Sequence, residues 1–243
     1  MNYDLSAVVT FHREGILAHA ALRSYLLSRV CAEAAGYKVQ MVLVLDNADI
    51  GTSSIVRDHP DLFGDEVIID ISVGDSALAR NQGVLNSAGT FVCTLDGDDL
   101  ISREYFWRHL ECARESSGKV ILHPELVVSF GMYNAFNWQI DQRGQYYSRE
   151  SLLLVNPWIS AVFARREVFV EIPYTACYPG STGFGYEDWY WNCETTAAGY
   201  EHLLAPATAY YYRRKFSGSV NEASKALQVV MPPSRLFDFQ EAK

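Results

Sequence analysis

Three aspartates and a glycine, Asp96-Gly97-Asp98-Asp99, follow directly on the apolar run Phe91-Val92-Cys93-Thr94-Leu95. Like charges at the tip of a buried strand are costly unless a cation answers them. A hard divalent ion does this well, because carboxylate oxygens suit magnesium or manganese and a diphosphate fills the remaining coordination positions. The same residues also suit a plain turn in which aspartate caps a helix starting near Ser102, since Asp and Gly dominate turns for local reasons. A second acidic pair, Glu187-Asp188, follows the glycine-rich Gly183-Phe184-Gly185-Tyr186 and opens a helical stretch. The helix dipole favours acidic residues in a first turn, so position alone does not separate capping from chemistry.

The elements around the first cluster decide between its two readings. Leu5 to Phe11 is a short β-branched run that reads as a buried parallel strand, ending in His12-Arg13-Glu14-Gly15. A helical pattern with Ile16, Leu17, Ala20, Ala21, Tyr25 and Leu26 on one face runs to about Ala35, where Gly36 stops it. Gln40 to Leu45 is a second strand, ending in Asp46-Asn47. A weak helix over Ile50 to Asp58 leads to a third strand at Val67 to Ile71. Asp75-Ser76 caps a helix expected through Ala88, with Gly89 ending it before the strand Phe91 to Leu95. This alternation predicts an α/β fold, an open, mostly parallel central sheet flanked by helices. In such sheets the ligand crevice lies outside the carboxyl ends of the strands. Phe11-His12-Arg13, Asp46-Asn47 and the Asp96 cluster all fall there, which favours a metal and nucleotide site over a plain turn. No G-x-G-x-x-G follows the first strand and no G-x-x-x-x-G-K-[ST] occurs, so the metal, not a glycine loop, must handle phosphate.

Ser76-Ala77-Leu78-Ala79-Arg80-Asn81-Gln82-Gly83, then Ala88-Gly89-Thr90-Phe91-Val92 and Leu95-Asp96-Gly97-Asp98-Asp99, resembles the signature of family-2 glycosyltransferases. Val8 to Arg13 resembles that family's opening strand and nucleotide loop, although His12-Arg13 departs from its common Asn-Glu. The resemblance implies a Rossmann-like GT-A fold, a nucleotide-sugar donor and inverting transfer to a glycan or lipid-linked glycan, as in bacterial-type surface polysaccharide synthesis. It implies donor contacts from Phe11, packed on the base, and from Arg13, Asp46, Arg80, Asp96 and Gly97. It places Mn2+ or Mg2+ on Asp98 with Asp96. Further on, Arg165-Arg166-Glu167-Val168-Phe169, Gly185-Tyr186-Glu187-Asp188-Trp189 and Ala198-Gly199-Tyr200 resemble the acceptor segment. Asp188 then matches the catalytic base, with Glu187 and Trp158 as acceptor contacts. Tyr210-Tyr211-Tyr212-Arg213-Arg214-Lys215-Phe216-Ser217-Gly218-Ser219 reads as a solvated basic turn or, by its resemblance to the family's closing segment, as a lid over the donor diphosphate in which Arg213 is a donor contact. A single domain over 1–243 follows, with 1–118 binding the nucleotide sugar and 119–243, of mixed structure, binding the acceptor.

The remaining stretches are plainer. Phe106, Trp107, Leu110 and Ala113 mark the apolar face of a helix within Arg103 to Ser116, and Val120 to Leu122 and Leu126 to Met132 read as strands. Asp141-Gln142-Arg143-Gly144 is a hairpin turn by composition. Trp138 is open to sugar stacking or to packing, and Gln228 to Phe239 reads as a terminal packing or interaction segment.

Bulk composition sets limits. With 243 residues and 49 % apolar content, the chain can bury a sizeable core. A formal net charge of −9 excludes a nucleic-acid backbone as the main partner. Five scattered cysteines without a C-x-x-C pair read as reduced core thiols. The start of the chain has no signal-peptide pattern and no apolar run suits a membrane span, so the expectation is a cytoplasmic protein. Any membrane contact is then peripheral, at the inner face, and a protein partner remains open. Two other functions fit parts of this pattern: a nucleotidyltransferase of related fold, and a carbohydrate-binding module on an inactive transferase fold.

Overall fold

The computed structural model describes residues 3–215 and 224–238. Phe216, Ser217, Gly218 and Ser219 of the expected closing segment lie outside the described residues, as does Phe239. The first half alternates as the sequence predicts: β1 (Tyr3–Phe11), α1 (Leu17–Ala34), β2 (Val39–Asp46), α2 (Ile50–Arg57), β3 (Val67–Ile71), α3 (Ser76–Leu85) and β4 (Gly89–Asp96). The four strands pair in parallel in the order β3-β2-β1-β4. Every residue of β2 is buried. Alternate residues serve two cores: Met41, Leu43 and Leu45 pack toward α1, whereas Val42 and Val44 pack toward α3.

The second half continues the same sheet with mixed direction. It comprises β5 (Leu100–Ile101), α4 (Tyr105–Glu115), β6 (Val120–Gly131), β7 (Ala135–Trp138), β8 (Val162–Arg165), α5 (Arg166–Glu171), α6 (Pro179–Thr182), α7 (Glu187–Ala197) and β9 (Glu201–Arg214). The sheet runs β3-β2-β1-β4-β8-β6-β9-β5, with β7 beside β6. β8 is antiparallel to β4 and to β6, and β6 is parallel to β9. The carboxyl ends of β1, β2 and β4 therefore meet that of β9, which brings residues from both halves to one edge. The five cysteines are all free. Among the described residues no helix is long and apolar enough to cross a membrane.

Local chemistry corrects three expectations. α3 ends at Leu85 rather than Ala88, because the Asn86 and Ser87 side chains donate to the Gln82 and Gly83 carbonyls and close the last turn. Gly89 instead begins β4, where an added Cβ would stand 2.4 Å from the Ser6 nitrogen. The two apolar runs after Gly118 form one strand, β6, with an irregularity between Pro124 and Leu126 that absorbs the proline. Asp141 to Gly144 is a turn, closed by the Gly144 N–H on the Asp141 carbonyl at 2.9 Å, but it leads toward the 3-10 helix Arg149–Leu153, so it closes no hairpin.

Three histidines are fully buried in this half. His109 on α4 lies between the rings of Tyr105 and Phe163, and burial pulls its pKa down to about 4. His202 on β9, 2.9 Å from His123 on β6, is pulled down by burial to about 3, and burial lowers His123 as well. Each stays neutral in the fold while the unfolded chain takes up a proton below its ordinary pKa near 6.5. Stability contributed this way is present at neutral pH and is lost as pH falls. Equilibrium urea unfolding of His109→Phe between pH 6 and pH 4.5 should show a pH slope shallower than wild type by about 1 kcal/mol per pH unit. An unchanged slope would mean that His109 is not held neutral.

Candidate functional site

A cleft of about 420 Å³ opens at this edge of the sheet. Its walls come from the ends of β1, β2, β4 and β9, the start of α3, the loop before β8 and the start of α7. Asp46 ends β2 and is 6 % exposed. Its carboxylate accepts the Val73 N–H at 2.9 Å and the Gly74 N–H at 3.0 Å, which fix it on the cleft wall.

At the end of β4 each aspartate has its own partners. Asp96 accepts Arg80 Nη2 on Oδ1 and Ser160 Oγ on Oδ2, both at 3.0 Å. Asp99 accepts the Tyr210 hydroxyl at 2.8 Å and the Arg213 N–H at 2.6 Å. Asp98 faces Lys215, whose Nζ is 2.6 Å from Oδ2, while Arg213 Nε donates to the Asp98 carbonyl at 2.9 Å. Tyr25 on α1 clamps the loop from below, its hydroxyl donating to the Asp96 and Asp99 carbonyls at 2.6 and 3.0 Å. Burial raises the Asp98 carboxyl above its ordinary range, and Lys215 offsets only part of this. Burial and the neighbouring Asp98 and Asp96 charges raise Asp99 strongly. Gly97 is required by space, since an added Cβ would meet Phe11 Cδ1 at 2.4 Å and the Thr10 carbonyl oxygen at 2.7 Å.

The opposite wall carries the second acidic pair. Gly183 and Tyr186 adopt left-handed backbone, at φ +74° and +62°, and turn the chain into α7 with Glu187 and Asp188 in its first turn. Glu187 Oε1 accepts Ser76 Oγ at 2.6 Å and Arg80 Nη1 at 2.9 Å. Ser76 and Arg80, four residues apart, share one face of α3. Burial opposes the charge on Arg80, yet Asp96 and Glu187 outweigh it and keep the guanidinium protonated. Asp188 accepts Asn156 Nδ2 at 3.3 Å, and Asn156 is itself oriented by Asn192 at 3.0 Å. Burial, then the Glu187 charge, lifts Asp188 to about 6, with Arg80 pulling the other way.

Asp46, Arg80, Asp96, Gly97, Asp98, Glu187, Asp188 and Arg213 thus all line the cleft. Three other predicted site residues stand differently. Phe11 reaches the cleft but is 1 % exposed beneath Gly97, so its ring supports the floor and offers no face for a base. Arg13 is exposed on the loop after β1, off the cleft wall. Trp158 is 3 % exposed, with His202 and His123 stacked against its indole and its Nε1 donating to the Ile140 carbonyl. An apolar ring with its one donor satisfied belongs to the core and cannot meet an acceptor there. Trp138, by contrast, is 63 % exposed on β7, so packing does not account for it. Glu14, Ser160 and Lys215 line the cleft without having been singled out. The run Arg213-Arg214-Lys215 carried a signal for the last. The others carried none, because their loops have no local pattern.

The donor set suits a divalent ion only in one way. Among the described residues no three His, Cys, Asp or Glu side chains converge as a metal cage. Asp96 and Asp99 already have donors on both oxygens. Asp98, raised by burial and with its side-chain oxygens met only by Lys215 among the described residues, is the carboxylate left to hold a cation, and a diphosphate would have to complete the coordination.

Residues 6–171, more than half of the chain, match the family model of glycosyl transferase family 2. The chain belongs to that family. Among curated proteins none matches it in sequence. S. aureus TarS 1-349 superposes with TM-score 0.64 at 15 % identity, covering 86 % of this chain and 60 % of TarS 1-349. GalNAc-T7, solved with UDP, GalNAc and Mn2+, superposes with TM-score 0.65 at 16 % identity over 89 % of this chain and 44 % of its own. For the mannosyltransferase PcManGT from Pyrobaculum calidifontis, in complex with GDP-Man and Mn2+, the values are 0.62, 15 %, 94 % and 61 %. These identities speak for the fold alone, which is GT-A. The chain spans less than two thirds of each of these structures.

Arg80 is buried between two carboxylates, and removing one partner from such a group leaves the others uncompensated. Arg80→Leu should lower the unfolding free energy by about 3–5 kcal/mol in chemical denaturation. A loss under about 1 kcal/mol, the range of a surface ion pair, would show that the triad is solvated.

Proposed function

We propose that this family-2 glycosyltransferase is inverting, moving a sugar from a nucleotide-sugar donor to a hydroxyl of a glycan or lipid-linked glycan. The observation that carries the reading is the single cleft in which the Asp96 to Asp99 cluster and Asp188 face one another, with Arg80 bonded to both walls. In-line displacement needs a proton acceptor on one side of the anomeric carbon and a stabilised leaving group on the other. The neighbours solved with UDP and GalNAc, with GDP-Man and with UDP-GlcNAc support a sugar-nucleotide donor. Residues 1–118 supply most of the donor wall, which Arg213 and Lys215 join from the end of β9, and the described part of residues 119–243 adds the acceptor wall.

Asp46, an acceptor held rigid by two backbone N–H groups, binds the base. Asp96, across β1 from it at the end of β4, binds toward the ribose, kept in place by Arg80 and Ser160. Asp98, with Asp96 alongside, would hold a manganese or magnesium ion, which would supply positive charge opposite the leaving diphosphate. Asp188 takes the proton from the acceptor hydroxyl. Its pKa near 6 keeps it ionised at neutral pH yet more basic than an ordinary aspartate, as a general base requires. Asn156 holds that carboxylate toward the cleft.

The sign of the pH dependence follows: only the ionised base works, so kcat/KM should rise with pH, about tenfold per unit below pH 6, and level off above it. Asp188→Asn should lower transfer by at least about a hundredfold while leaving nucleoside diphosphate affinity nearly unchanged. Donor turnover with manganese should release nucleoside diphosphate. Pyrophosphate release would assign a nucleotidyltransferase instead, and wild-type turnover by Asp188→Asn would remove the base assignment.

A further inference from the structure

The cleft is far from electroneutral. Among the described residues eight Asp and Glu line it against three Lys and Arg. Two of those cations are committed. Arg80 is shared between Asp96 and Glu187, and Arg213 is anchored to the backbone and side chain of the aspartate loop, with its guanidinium 4.6 Å above the Phe130 ring. Lys215 differs from both. Its side chain is 29 % exposed, it stands at the end of β9 on a flexible four-carbon stem, and its ammonium lies 2.6 Å from Asp98 Oδ2.

We propose that Lys215 is a tethered cation that occupies Asp98 until a nucleoside diphosphate arrives, and so couples divalent-ion binding to donor binding. The inference rests on the donor-site reading above. A divalent ion arriving alone must displace an ammonium and gains one protein carboxylate, because Asp96 and Asp99 are already bonded and no other cage exists among the described residues. A diphosphate changes both sides of that exchange. Its oxygens complete the coordination of the ion, and they give the displaced ammonium a new anionic partner within reach of its stem. Ion and diphosphate then bind together better than either alone, and by linkage each strengthens the other by the same factor.

The test is the dissociation constant of Mn2+, read by electron paramagnetic resonance of the free ion, with and without saturating UDP or GDP. In wild type the nucleotide should tighten Mn2+ binding well beyond tenfold. In Lys215→Met, Mn2+ alone should bind roughly tenfold tighter than to wild type, and the tightening by nucleotide should shrink by a similar factor. Lys215→Arg, which keeps a cation, should behave like wild type. Among the described residues Lys215 belongs to no core cluster, and circular dichroism of both variants should match wild type. If wild type shows the coupling and Lys215→Met shows it undiminished, Lys215 is not the competing cation and the donor site stands. If wild type binds neither Mn2+ nor either nucleotide, the donor-site reading falls and this inference falls with it.

Discussion

Arg80 is 4 % exposed, and its two amino nitrogens reach Asp96 at 3.0 Å and Glu187 at 2.9 Å, residues 16 and 107 positions away along the chain. Guanidinium is suited to this role because it stays charged when buried and presents its donors in a fixed fork. One rigid cation therefore sets the spacing between the end of β4 and the start of α7. Without it, two carboxylate-bearing walls would repel across a low-dielectric cleft. The bridge also leaves Asp188, one residue beyond Glu187, without an ion pair among the described residues. That is why burial and the Glu187 charge can lift its pKa to about 6. The ion triad and the basic carboxylate are thus two consequences of one placement on α3.

The rest of the site is arranged around unequal claims on four carboxylates. Asp96 and Asp99 are saturated by protein donors and act as fixed parts of the loop, and Tyr25 clamps that loop to α1. Asp98 meets the Lys215 ammonium, and Asp188 meets the Asn156 amide and the Trp189 N–H. The two less committed carboxylates are the ones assigned to the leaving group and to the acceptor. Saturation holds the geometry, and incomplete saturation leaves chemistry available.

Much of this was legible in the sequence, for identifiable reasons. β1 to β4 centre on short, mostly apolar runs, and the polar residues that end them must gather at one edge of a parallel sheet. Ala79-Arg80-Asn81-Gln82-Gly83 and Asp96 to Asp99 carried the family resemblance that the match over residues 6–171 bears out. The second half was harder to read. Pro124 and Glu125 interrupt β6, and Pro206 with Ala207, at φ +57°, breaks the pattern of β9. Trp158 was misplaced because an aromatic beside a site segment looks the same from sequence whether it faces the cleft or, as here, packs on His202. Phe11 was misplaced because only the fold shows Gly97 lying on its ring. Lys215 had a basic run to mark it, but its pairing with Asp98 depends on β9 running back to the end of β4.

The central claim is that one cleft holds the donor and its ion at the aspartate loop, opposite Asp188. Anomalous diffraction from crystals grown with Mn2+ and UDP or GDP tests this most directly. One manganese peak in contact with Asp98 and the diphosphate is expected, with the base beside Asp46 and Asp188 across the cleft. Manganese bound away from Asp98, or a nucleotide lying outside the cleft, would contradict it.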